Sequence, residues 1–104
     1  MPDFVGVFPA DRVPPQRNEV EALILNTDPA GTVGTHWCAL YRDGDRTVIW
    51  DSFGRSAKDL FPRIDAEDCD SDQEQAFREK WCGAGCLAWL QVAAALGLDA
   101  AKRV

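Results

Sequence analysis

Thr35-His-Trp-Cys-Ala-Leu-Tyr41, Arg42-Asp-Gly-Asp45 and Arg46-Thr-Val-Ile-Trp-Asp51 follow one another without interruption. The first and third pieces are apolar, aromatic and β-branched runs of strand length. Between them, Asp-Gly supplies a positive φ cheaply, as a tight hairpin turn requires. Strands joined so closely must be antiparallel neighbours. Alternation puts His36, Cys38 and Leu40 on one face of the first strand and Trp37 and Tyr41 on the other. On the second strand Val48 shares a face with Trp50, and Ile49 with Asp51. His36 lies six residues before the turn and Asp51 six after it, which makes them cross-strand partners.

Outward from this hairpin the signals are simpler. Glu21-Ala-Leu-Ile-Leu-Asn26 is a further strand, closed by the turn-forming Asn-Thr-Asp-Pro-Ala-Gly. Residues 1–18 hold Pro2, Pro9, Pro14 and Pro15 and read as an extended, looping arm, with Phe4, Val5, Val7 and Phe8 apolar enough to pack. Ser52-Phe-Gly54 breaks the strand that ends at Asp51, and residues 55–72 read as a surface loop. Residues 72–80 carry local helix propensity, interrupted by Cys82-Gly-Ala-Gly85. Cys86 to Leu96 is the clearest helix, with Gly97 placed to close it. Cys82, Cys86, Leu90 and Ala93 share one helical face. Strands followed by a buried helix predict an α+β fold, a small antiparallel sheet packed on a central helix.

The 104 residues fit a single domain over 1–104. Hydrophobic residues at 46% and charged residues at 27% are ordinary for a globular chain. No apolar run reaches the length of a membrane span. The N-terminus lacks the pattern of a secretory signal, so the expected setting is a virion or the nucleus or cytoplasm of a host cell, not the secreted space. A net charge of −6 argues against a nucleic-acid partner, which calls for a basic face. Without a secretory signal, Cys38, Cys69, Cys82 and Cys86 read as thiols or ligands rather than a disulfide framework.

His36 is the only histidine. A carboxylate beside it, Asp51, can orient the imidazole and stabilise its cation. Cys82 stands just before the buried helix, where the partial positive charge and unpaired N–H groups of a helix start favour a thiolate. A thiolate beside an imidazole is an activated nucleophile, and the same N–H groups can hold a developing oxyanion. Gly83 and Gly85 would let a substrate backbone approach. Each residue alone has a plainer reading as a strand histidine, a turn-starting Asp or a small core cysteine. Their combination gives the set its meaning.

Gly34-Thr-His-Trp37, Ile49-Trp-Asp-Ser-Phe-Gly54 and Gln75 seven residues before Cys82-Gly83 resemble the adenovirus proteinase (adenain) group of cysteine proteases. More distantly they are similar to the SUMO- and ubiquitin-like-protein proteases of the same clan. Phe4-Val-Gly-Val7 and Leu23-Ile-Leu-Asn-Thr27 match upstream features of that group, so the resemblance runs along nearly the whole chain. It implies Cys82 as nucleophile, His36 as general base, Asp51 as its orienting acid and the Gln75 amide as an oxyanion donor; the role of Gln75 rests on the resemblance alone. It further implies a viral maturation protease that cuts capsid or polyprotein precursors after glycine, needs no cofactor for chemistry and has an activating peptide as a possible partner. Trp37 and Trp81 would narrow the cleft beside Gly83 to admit glycine and reject side chains. Four features depart from the group: a shorter chain, a bulky Trp81 before the cysteine, an acidic balance that fits poorly with the DNA activator of the adenovirus enzyme, and Cys69 at a different offset from Gln75 than that enzyme's peptide-capturing cysteine.

An isopeptidase acting on ubiquitin-like tails is the second enzymatic reading. A zinc-binding module using His36, Cys38, Cys82 and Cys86 is a non-enzymatic one, although neither ligand spacing matches a common zinc motif. A catalytically idle adaptor is a third, opposed by the intact Cys82, His36 and Asp51.

Overall fold

The computed structural model describes residues 3–27, 36–51, 55–69 and 82–103, and for residues 82–84 the backbone only. Five strands form one mixed sheet in the order β1-β2-β3-β4-β5, from β1 (Phe4–Pro9), β2 (Val20–Asn26), β3 (Trp37–Asp43), β4 (Arg46–Trp50) and β5 (Glu67–Asp68). A short helix α1 (Ala57–Leu60) precedes β5, and α2 (Cys82–Leu96) and α3 (Leu98–Lys102) follow it. The α+β class is as expected.

The sheet is mixed rather than antiparallel. The pairs β2·β3 and β3·β4 are antiparallel, while β1·β2 and β4·β5 are parallel. A parallel neighbour requires a crossover, and both edges have one: irregular residues 10–19 lead from β1 to β2, and the stretch containing α1 leads from β4 to β5. The proline-rich arm therefore contains a strand. Its position explains the proline, since Pro9 ends an edge strand, where a missing N–H is tolerated. The expected loop over 55–72 likewise contains α1 and β5.

The hairpin turns through two residues, Gly44 and Asp45, between Asp43 and Arg46. Gly44 takes φ +60° at the first central position, where a type II′ turn needs a glycine. Pairing of Ala39 with Trp50 and of Leu40 with Ile49 follows from it.

The central strands are buried on both faces, which accounts for the unbroken apolar runs Ala22–Leu25 and Cys38–Tyr41. On one face, Ala22, Ile24, Ala39, Tyr41, Val48 and Trp50 pack against Cys86, Trp89, Leu90 and Ala93 of α2 and Leu98 and Ala101 of α3. On the other, Leu23, Leu25, Cys38, Leu40 and Ile49 meet Ala57 and Phe61, with Phe8 of β1 and the crossover residues Ala10 and Val13 around them. The expected helix is therefore one of two covering layers.

Helix α2 begins at Cys82, four residues earlier than the glycines suggested. Gly97 closes it at φ +89°, its N–H bonding the Ala93 carbonyl at 2.9 Å. The chain then turns directly into α3, which Trp89 ties down by donating its indole N–H to the Ala101 carbonyl at 3.0 Å. No helix among the described residues is long and apolar enough to cross a membrane.

Candidate active site

His36 and Asp51 flank the hairpin at one end of the sheet, His36 just before β3 and Asp51 just after β4. Extending the observed register by one pair sets Asp51 opposite Cys38, so His36 is its diagonal neighbour rather than its direct partner. Side chains on one sheet face can bridge that diagonal. His36 Nε2 lies 2.5 Å from Asp51 Oδ1, with His36 6% and Asp51 5% exposed.

Asp51 is enclosed by donors. Arg55 gives its Nε–H to Oδ2 at 2.8 Å and its backbone N–H to the same oxygen at 3.0 Å. The Cys38 thiol points at Oδ1 from 3.7 Å. Burial alone would raise the Asp51 pKa, but the hydrogen bonds from His36 and Arg55 outweigh it and hold the carboxyl well below the usual range. An ionised carboxylate only accepts, so Nε2 carries the ring proton of a neutral His36, and Nδ1 is its basic nitrogen.

Cys38 is fully buried beside that carboxylate. Burial first, and the Asp51 charge second, push its thiol pKa far up. It stays protonated and is no nucleophile. Cys86 is also fully buried, one turn inside α2 among the core residues.

Cys82 is the first residue of α2, so its backbone stands at the helix start where a thiolate is favoured; its side chain, and that of Gly83, lie outside what the structure describes. Gln75, Trp81 and the Ser52-Phe-Gly54 segment lie outside the described residues. Trp37 opens β3 and is half-buried against the α2 side of the sheet. Gly85 serves packing rather than substrate: a Cβ there would come within 2.9 Å of the Trp50 ring. The first turn of α2 thus rests on the residue that precedes Asp51.

Arg55 was not anticipated. Its only sequence signal is an Arg four residues after an Asp, across a turn-forming Ser-Phe-Gly. The described side chains that bring metal-ligating atoms together are His36, Cys38 and Asp51, whose atoms all lie within 4.8 Å of one another. Cys86 is not in that group, so the ligand set imagined for a zinc module is not the one assembled here.

No protein-family model matches the chain, and no curated protein matches it in sequence.

Proposed function

We propose that the protein is a cysteine endopeptidase of the adenain-like type that cuts protein precursors after glycine, as a viral maturation protease does. The observation that supports it most is the buried pair of His36 Nε2 and ionised Asp51, fixed from behind by Arg55. A carboxylate so held presents Nδ1 as a base of fixed direction. The start of α2 at Cys82, and the contact of its first turn with Trp50, support the same reading.

In this reading His36 Nδ1 takes the Cys82 proton, and the sulfur attacks the scissile carbonyl carbon. Backbone N–H groups at the start of α2 and the Gln75 amide hold the oxyanion. The imidazolium, stabilised by Asp51, returns its proton to the leaving amine as the C–N bond breaks. Water, deprotonated by Nδ1, then releases the acid and restores the thiol. Trp37 and Trp81 narrow the approach so that glycine fits before the scissile bond.

The test is hydrolysis of a peptide library by native protein and by Cys82→Ala. Cleavage after glycine that disappears in the variant is the expected result. Retained cleavage in Cys82→Ala, or a preference for a large residue before the cut, overturns it. Cleavage confined to folded ubiquitin-like tails would assign the isopeptidase activity instead.

A further inference from the structure

His36 Nε2, Cys38 Sγ and Asp51 Oδ1 combine one nitrogen, one sulfur and one oxygen donor within 4.8 Å, all on buried side chains. This is a borderline-soft set of the kind that zinc favours. Zinc bonds of about 2.0–2.3 Å place tetrahedral ligand atoms roughly 3.2–3.8 Å apart. Cys38 Sγ and Asp51 Oδ1 already stand at 3.7 Å, and His36 Nε2, now 2.5 Å from that oxygen, would withdraw by roughly 0.7–1 Å on binding the metal. Arg55 holds the carboxylate in place, its Nε–H on Oδ2 at 2.8 Å and its Nη2 at 3.5 Å from Oδ1. Outer contacts of this kind position metal ligands. Peptide hydrolysis has no use for the Cys38 thiol, which leaves its place in this cluster unexplained by that activity.

We propose that His36, Cys38 and Asp51 form a zinc site that, when filled, removes the basic nitrogen of His36. The site itself stands on these three residues; its effect as an inhibitory switch rests on the peptidase reading. The proton balance is simple. Cys38 loses its thiol proton to solvent and binds as thiolate. The ring proton moves from Nε2 to Nδ1 as Nε2 takes the metal. A neutral ring with Nδ1–H cannot accept the Cys82 proton, so the base is blocked without the metal touching the nucleophile.

Because His36 is the only histidine, nitrogen NMR of protein labelled at histidine reads this switch without any activity assay. Native protein, kept reduced, should show the Nε2–H tautomer when metal-free and the Nδ1–H tautomer after one equivalent of zinc chloride. Cobalt(II) chloride should give a thiolate charge-transfer band in native protein and in Cys82→Ala, and no band in Cys38→Ser. Zinc affinity should fall at least about tenfold in Cys38→Ser and in Asp51→Asn. If Cys38→Ser does not fold, His36→Gln should show the same loss of affinity. A band that survives Cys38→Ser, or one that vanishes in Cys82→Ala, places the metal elsewhere and overturns the site. So does an unchanged His36 tautomer with zinc bound. Absence of hydrolysis by metal-free native protein is the failure of the peptidase reading alone, since neither spectrum depends on it. Undiminished hydrolysis with the site filled overturns the switch.

Discussion

Strand β3 has at each end a buried carboxylate held by a basic side chain, and the two differ in what those side chains can do. At the far end Arg42 donates Nη1–H to Glu21 Oε1 at 2.9 Å and Nη2–H to the Pro14 carbonyl at 2.9 Å. Glu21 Oε2 accepts the backbone N–H groups of Arg17 and Asn18, each at 3.2 Å. A guanidinium does not give up its proton, so every bond there is fixed, and the result is a clasp that pins the crossover arm to the sheet. At the near end the cation's place is taken by an imidazole, which can hold or release a proton. The carboxylates are similar: both are buried, well supplied with donors and shifted below their ordinary pKa. Under the proposed function, what separates a structural pair from a reactive one is the partner's chemistry: only the imidazole can pass a proton on.

Substitutions at the near end should change rate, and those at the far end should change stability. Cys82→Ala should have the largest effect, a loss approaching the order of 10⁶ reported by hydrolases that lose their nucleophile. Cys86→Ala should keep much of the activity, and steady-state hydrolysis by the two folded variants checks this. Asp51→Asn should reduce turnover on the order of 10³-fold, within the span that general acid–base catalysis supplies. An unchanged turnover number in folded Asp51→Asn would remove the acid from the mechanism. Gln75→Ala should lower turnover about 100-fold and substrate binding far less, a split read from kcat and KM.

Arg42→Met should leave turnover per folded molecule unchanged and cost about 3 kcal/mol, because Glu21 stays buried without its main partner. Urea unfolding measures it. The Glu21 pKa carries a pH signature. Burial raises it, and the bonds from Arg17, Arg42 and Asn18 outweigh that and bring it below the ordinary 4.5. Its contribution to stability is therefore full above about pH 4.5 and is lost as pH falls through the lower folded value. Native protein should lose this increment in acid, and Arg42→Met should lose less. A rate defect in folded Arg42→Met would blur the distinction between the two ends.

The near end was legible because it depends on a hairpin. Two apolar strands around Asp-Gly fix the neighbours, and alternation fixes the faces, so His36 and Asp51 come together even though the register runs two positions from the expected one. The diagonal reach of the imidazole absorbs that difference. The edges were not legible. Phe4–Pro9 carries proline and exposed side chains, the marks of a loop, and is a strand because residues 10–19 cross over to β2. Gly83 and Gly85 read as helix breakers, yet Gly85 lies within α2 because the Trp50 ring occupies the place of a side chain. Propensity is local, and the contact with Trp50 is not. Arg55 was missed, and Cys38, although placed on the His36 face, was not paired with Asp51: that contact follows from the true register, which sets Asp51 opposite Cys38 and is not written in a residue pattern.

The most direct test of the account is to map where a Gly-Gly peptide electrophile attaches, and how fast, in native protein and in His36→Ala. Native protein should be labelled at Cys82 alone, and labelling should slow on the order of 100-fold or more without the imidazole. Labelling of Cys38 or Cys86 in preference, or equal rates at Cys82 with and without His36, would contradict it.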